Sequence, residues 1–348
     1  MQKFNREITL DKYINEALYD KTYGYYSTRN PFGEKGDYIT SPNISVLFSE
    51  VITIWSILFW ESLKLPKKFN IIELGAGNGE MMYQIMITSK NFKKFNSNTK
   101  FYIYEKSEYL RNVKKKKLKG FNVKWIKKLS DLKKGYNLFI GNEFLDAFAI
   151  KQFKKIKNNW FEKHICEINK HNRQEIYKKT NILDLKKKIN IDLFKNQNFI
   201  EISIEQISFL NDLSKLIKKN NGGLLFFDYG YTNNKMINSL QSVRKHKSSN
   251  YLTNKGKNDI THLINFYFLK KILEKNGLKI NGPTNQGDFL KKLGILERGE
   301  IMSKNKTFLE KADIFYRINR LINKNEMGNL IKVLLVTKKI SNFNLGFK

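Results

Sequence analysis

An apolar run, Phe69-Asn70-Ile71-Ile72, leads straight into Glu73-Leu74-Gly75-Ala76-Gly77-Asn78-Gly79, and a helix-like stretch over 80–87 follows at once. A strand that turns directly into a helix needs one position free of steric limits on φ and another where bare backbone can lie against a ligand. The segment therefore points to an α/β domain with a nucleotide-type cofactor at the strand's end. Its spacing is G-x-G-x-G, whereas a dinucleotide fingerprint carries its third glycine after two intervening residues. Glu105 closes the next strand-like run, 101–104, and an acid there can accept hydrogen bonds from ribose hydroxyls. A tight turn in an unrelated α/β domain is the bland alternative.

The 348 residues suit one catalytic core with large additions, or two domains. Hydrophobic residues at 41% and aromatics at 14% exclude a disordered chain. The net charge of +32 suggests nucleic acid, an anionic membrane or an acidic partner, but the lysines are spread from end to end. The densest run, Lys114-Lys115-Lys116-Lys117 with Lys119, reads as a solvated helix face. One cysteine, Cys166, excludes an intramolecular disulfide, and His164, His171, His246 and His262 are too scattered for a metal cluster. No metal is expected. The first residues carry no apolar signal core, and the longest apolar stretch, 51–60, is about half of the ~20 residues a membrane helix needs. The expectation is a cytoplasmic protein without a membrane span.

Helical patterns are expected at 9–19 and 44–63, separated by a Gly-, Ser- and aromatic-rich loop over 23–42 whose 40–43 segment can cap the second helix. Strands at 69–74, 100–105, 122–126 and 136–141 alternate with helices at 79–88, 107–118 and 143–148, which implies a parallel sheet covered by helices. A shorter alternation over 149–203 reads as a strand-rich insertion. A helix at 203–220 precedes a buried strand at 222–230, and 330–337 closes the fold as a strand. The expected division is an N-terminal helical region with a cofactor-covering loop (1–64), a core (65–235, with the insertion at about 150–200), a helical cap or substrate region (236–326), and a final strand and tail (327–348).

Glu73 before the glycines and Glu105 after the next strand are similar to S-adenosylmethionine methyltransferases, whose cofactor has a ribose and no pyrophosphate. Over nearly its whole length the chain resembles a narrower group, the MidA family, whose mitochondrial members are protein-arginine methyltransferases that assist assembly of respiratory complex I. The resemblance is carried by Gly24-Tyr25-Tyr26, Pro31-Phe32-Gly33 through Gly36-Asp37-Tyr38-Ile39-Thr40-Ser41-Pro42, the glycine motif, and Asn142-Glu143-Phe144-Leu145-Asp146-Ala147. It continues through Glu201-Ile202-Ser203, Gly222-Gly223 to Asp228-Tyr229-Gly230, Arg244-Lys245-His246-Lys247, Gln286-Gly287-Asp288-Phe289-Leu290, and Met327-Gly328 with Lys332-Val333-Leu334-Leu335. The chain departs from the family at Ala76 and Asn78, where Pro and Arg are usual, at Asn43, where Glu is usual, and at Asn265, where an acid is usual. The fold implied is a Rossmann-like parallel sheet with a helical N-terminal region and an added α+β cap.

The resemblance implies S-adenosyl-L-methionine as cofactor and a protein substrate, with a complex I subunit as its finest form. Glu73, Gly75, Gly77 and Gly79 would cradle the methionine part and the adenosine edge, Glu105 would hold the ribose, and 125–129 would lie beside the adenine. Asn142 and Glu143 end the fourth strand, where open α/β sheets bind ligands. A guanidinium acceptor needs a carboxylate to orient it by charge-assisted bonds, and Glu143 is the first choice, Asp146 the second. Asn142 would fix the amino acid part of the cofactor or the acceptor nitrogen. A helix N-cap is the plainer reading of Asn142-Glu143. Asp228 either reaches the same crevice or serves a turn. Methylation of RNA or a small molecule, or a non-catalytic assembly role that retains the pocket, remain the alternatives.

Overall fold

The computed structural model describes residues 6–33, 36–169, 172–191 and 196–348. His171 lies outside them. Seven strands of the central sheet are numbered here in chain order: β1 (Phe69–Leu74), β2 (Thr99–Tyr104), β3 (Val123–Ile126), β4 (Tyr136–Asn142), β5 (Gly222–Tyr231), β6 (Leu278–Asn285) and β7 (Ile331–Lys338). Their spatial order is β6-β7-β5-β4-β1-β2-β3. The pairs from β3 through to β5 are parallel, and β7 is antiparallel to both its neighbours. The five parallel strands therefore end at one edge, which carries the glycine loop, Glu105, Glu143 and Asp228.

Successive residues of these strands point to opposite faces, and both faces are buried. Ile71, Leu138, Ile140, Leu225, Phe227, Val333 and Leu335 share one core with helices Val46–Ser62 and Glu80–Ser89 and with the C-terminal helices Gln286–Lys292, Ile295–Ser303 and Phe308–Ile322. Ile72, Phe139, Leu224, Phe226, Leu334 and Val336 share the other with helices Ile204–Asn220 and Phe266–Lys275. This double burial is why the strands read as near-continuous apolar runs. Among the described residues no helix is long and apolar enough to cross a membrane, and 51–60 lies inside the largely buried helix Val46–Ser62.

The strand-rich stretch after residue 149 forms a second, antiparallel sheet of Lys151–Ile156, Asn159–Glu167, Arg173–Thr180 and Phe199–Ile202. Strand Arg6–Thr9, which the sequence does not announce, joins it by pairing with Asn159–Glu167. The stretch 236–326 is less helical than expected: besides β6 it contributes a small sheet of Gln241–Arg244, Lys247–Ser248 and Asp259–Thr261. The cap of helix Val46–Ser62 is Ser45, whose hydroxyl accepts the Leu47 amide, and not a residue of 40–43.

The expected helix at 143–148 is absent. Contacts from elsewhere hold the segment as an irregular turn: Asp228 Oδ2 accepts the amides of Phe144 at 3.1 Å and Leu145 at 2.7 Å, Gln206 Nε2 donates to the Leu145 carbonyl, and the His262 amide donates to the Asp146 carbonyl. Tertiary bonds outweigh a weak local propensity.

Gly222 opens β5 with φ at +115°, and a Cβ there would lie 1.9 Å from the Asn137 carbonyl oxygen. Gly222→Ala is expected to cost at least about 2 kcal/mol, since strain and overpacking coincide. A denaturant midpoint equal to that of the parent would contradict this.

Candidate functional site

The glycine loop turns with positive φ at Gly75, Gly77 and Gly79, and a Cβ on Gly75 would sit 2.6 Å from the Phe144 ring. Backbone alone fits between the loop and the turn after β4. The loop is held by Gly77 donating to the Gly75 carbonyl at 2.7 Å and Gly79 to the Ala76 carbonyl at 2.6 Å. Two cavities meet over it. One is lined by Gly75, Tyr104, Glu105, Glu143 and Phe144 under Tyr19, Tyr26, Phe32 and Tyr38; the other by Glu73, Gly75, Ala76, Gly77, Asn78, Asn142 and Glu143 under Thr40, Pro42 and Asn43.

Glu105 stands where the sequence places it. Its Oε1 accepts the Ser107 amide at 2.8 Å and its Oε2 the Lys114 ammonium at 2.5 Å, which leaves lone pairs on both oxygens. Lys114 is completely buried. The lysine run is therefore not one solvated face: Lys114 and Lys117, three apart, turn inward to Glu105 and Glu80, while Lys115 and Lys116 stay exposed. Burial pushes the Glu73 carboxyl up to about 8, against the pull of Lys114 and the Met82 amide, and its Oε2 has no partner.

Glu143 borders both cavities and a third. It holds φ at +50°, an uncommon conformation for a residue with a side chain. Its amide donates to the Phe227 carbonyl at 2.8 Å, and its Oε1 accepts from the Ser41 amide at 3.2 Å and Asn142 Nδ2 at 3.0 Å. Burial pushes its carboxyl up to about 8. With no helix here, the N-cap reading of Asn142-Glu143 is removed. Asn142 Oδ1 is buried without a partner.

The third cavity lies beyond Glu143 and is lined by Asp146, Asp259, Tyr26, Tyr38, Tyr229, Gln241, Val243 and Thr261. Burial, then the negative charges of Asp228, Glu143 and Asp259, raise the Asp146 carboxyl well above its ordinary range. Burial lifts Asp259 to about 7 although Tyr26 donates to it at 2.8 Å. Asp228 lines none of the three cavities. It accepts three backbone amides, the third from Tyr229, and so serves the turn that presents Glu143.

The 23–42 loop covers these cavities. Asp37 accepts from the Tyr25 hydroxyl at 2.6 Å, and Phe32 packs edge-on to Tyr38 with ring centres 5.2 Å apart. Asn43 and Asn78, two of the departures, meet each other: Asn78 Nδ2 donates to Asn43 Oδ1 at 2.6 Å, tying cover to glycine loop. Asn265, the third, caps helix Phe266–Lys275 by accepting the Phe268 amide at 3.0 Å, a task for which Asp and Asn are equally suited. Residues 125–129 line none of these cavities; Lys106, Phe148 and Glu205 also line the first. Sequence reasoning also missed Tyr19, Tyr229 and Asp259 as lining residues, and only Tyr229, inside a stretch resembling the family, left a trace. His262 is buried, with its imidazole pKa pushed down to about 4 by burial, and no metal-binding cluster occurs among the described residues.

The family model described as "Putative S-adenosyl-L-methionine-dependent methyltransferase" matches residues 51–284. The chain belongs to that family. Among curated proteins it is 26% identical over 354 residues to the mitochondrial protein arginine methyltransferase NDUFAF7 of Xenopus laevis, covering 94% of this chain and 80% of the relative. It is 29% identical over 320 residues to the Caenorhabditis elegans homolog, covering 84% and 74%. To the Homo sapiens protein it is 25% identical over 350 residues, covering 92% and 78%. In fold it matches a Burkholderia thailandensis protein solved with S-adenosyl-homocysteine, at a TM-score of 0.82, 19% identity, and 98% and 90% coverage. The methyltransferase's cofactor is S-adenosylmethionine, and the cradle fits it: three turning glycines admit backbone contact, while Glu73 Oε2 and Asn142 Oδ1 are buried acceptors without partners.

Lys114→Met would leave two buried acids without their cation and is expected to destabilise the protein by about 3–5 kcal/mol. Thermal unfolding at neutral pH checks this. In a double-mutant cycle on Asn43→Ala and Asn78→Ala, cofactor affinity should show a coupling of about 1 kcal/mol. Strict additivity in calorimetric titrations would show that the contact does not serve the cofactor site.

Proposed function

We propose that this methyltransferase acts on the guanidinium of a protein arginine. The observation that carries the reading is the third cavity: three carboxylates and three tyrosines around a space that shares Glu143 with the cofactor cavities. Such a lining suits a flat cation that hydrogen-bonds along its edge and packs on aromatic faces. The names of the NDUFAF7 relatives support the same substrate class, and a subunit of respiratory complex I is the acceptor their family suggests. A cytoplasmic location remains part of the proposal.

Glu73, the three glycines, Glu105 and Asn142 would hold S-adenosylmethionine, which supplies a methyl group on a sulfonium. The chain's own task is alignment, because an in-line displacement gains most from holding the nucleophile at about 3–3.5 Å along the correct axis. Glu143 orients the acceptor. Its Oε1 is fixed by Ser41 and Asn142, so Oε2, which accepts no hydrogen bond from the described residues, would face the guanidinium. Asp146 and Asp259 would hold the remaining N–H groups. The acceptor nitrogen sheds one proton on methylation, and the carboxylates beside it are the groups placed to take it. Tyr26, Tyr38 and the 23–42 cover keep water out, which strengthens each of these charge-assisted bonds.

Glu143→Gln keeps the acceptor for Ser41 but loses the charge. Transfer to lysate protein from tritiated cofactor should fall about 100-fold while cofactor affinity stays within a few-fold. Full activity in this variant would remove Glu143 from the mechanism. Label that ribonuclease removes would favour RNA, and cofactor binding without transfer would favour the assembly role.

A bound cation favours ionised carboxylates, so binding should expel protons from Glu143, raised to about 8, and Asp259, raised to about 7. Affinity for an arginine peptide should therefore rise from about pH 6 to about pH 8 and then level off. Calorimetry in buffers of different ionisation enthalpy reads the proton release; a pH-independent affinity would contradict it.

A further inference from the structure

The acceptor cavity has a rim of the opposite charge. Gln241 and Val243 line the cavity from strand Gln241–Arg244, which pairs antiparallel with Lys247–Ser248 through the registers Arg244↔Lys247 and Val243↔Ser248. The hairpin turns at Lys245 and His246, both with positive φ, so its tip lies within three residues of Val243 in the cavity wall. It is also fastened to the cover over the site, since the Lys245 amide donates to Asp37 Oδ1 at 2.7 Å. Lys245, His246 and Lys247 are exposed and Arg244 is half-buried. Among the described residues none of these four makes an ion pair or a side-chain hydrogen bond with an acid. Three permanent cations thus stand unpartnered at the mouth of a cavity walled by Glu143, Asp146 and Asp259.

Position gives this arrangement a meaning that overall basicity does not. Inside, acids that give up protons as a cation binds can take one cation; at the rim, positive charge repels further cations and attracts anions. We infer that the 244–247 hairpin tip docks acidic residues of the acceptor polypeptide, so that the enzyme selects an arginine flanked by Asp or Glu and rejects one flanked by Lys or Arg. This rests on the protein-arginine reading of the same site. Rim charges of this kind contribute specificity and encounter rate more than deep binding energy, and repulsion of the wrong flank counts as much as attraction of the right one. A peptide backbone advances about 3.3 Å per residue, so residues within about four positions of the seated arginine can reach the tip.

The test labels a desalted bacterial lysate with the full-length protein and isotopic S-adenosylmethionine, then maps the methylated sites by mass spectrometry. For the parent, sites with Asp or Glu within four residues of the arginine should exceed their proteome frequency about threefold or more. For Arg244→Ala/Lys245→Ala/Lys247→Ala this enrichment should vanish. On a synthetic peptide with one arginine and acidic flanks, the KM of that variant should rise about tenfold, and the parent's KM should climb more steeply than the variant's between about 50 and about 300 mM salt. The single exposed change Lys247→Glu should shift the sites in the same direction, with cofactor affinity verifying that each variant is folded. Arginine labelling without acidic enrichment, or with one site distribution in parent and variants, overturns the docking role and leaves the proposed function standing. Label confined to RNA, or absent from arginine, overturns the proposed function and this inference with it.

Discussion

One buried carboxylate organises the site. Asp228, at the end of a central strand and completely inaccessible, takes the amide protons of Phe144, Leu145 and Tyr229. Burial pushes its pKa up to about 7, and those amides act against the shift. By accepting the amides at 144 and 145 it holds the turn in which Glu143 has φ of +50°. That conformation brings one side chain to the border of three cavities. The positive φ of Glu143 is a conformation that persists only where surrounding contacts hold it, and the Asp228 bonds are among those contacts.

The wider fold serves the same edge. Parallel pairing from β3 to β5 brings five strand ends together; the glycine loop, Glu105 and Glu143 each follow a different one, and Asp228 lies near the end of a fourth, β5. Rigidity comes from a sheet buried on both faces, while selectivity comes from peripheral pieces laid over it. The 23–42 cover, the Asn43–Asn78 contact and the small sheet bearing Asp259 arrive from distant parts of the chain. A neutral amide pair ties cover to glycine loop, so that tie depends little on ionic strength.

Much of this was legible in the residues. Ile71-Ile72, Phe139-Ile140, Leu225-Phe226 and Leu334-Leu335 each supply both faces of a strand, and such runs read as buried parallel strands from sequence alone. The glycines at 75, 77 and 79 and the acid at 105 were legible because a strand-to-helix turn imposes local rules that sequence obeys. The inward faces of Lys114 and Lys117 were not, since a run of four lysines looks solvated until the acids it meets are placed. Nor was the turn at 143–148, because Asp228, Gln206 and His262 hold its backbone from 60 to more than 100 residues away in the chain.

By itself the sequence determined the alternation of strands and helices, the cofactor turn and the resemblance that names the chemistry, because these depend on residues near one another in the chain. Only the tertiary structure decided that Glu143 borders three cavities, that Asp146 and Asp259 join it around the third, and that the 241–248 hairpin supplies part of that cavity's wall. Those facts depend on contacts between residues far apart in sequence. Periodicity and spacing carry no record of such contacts until the chain has closed on itself.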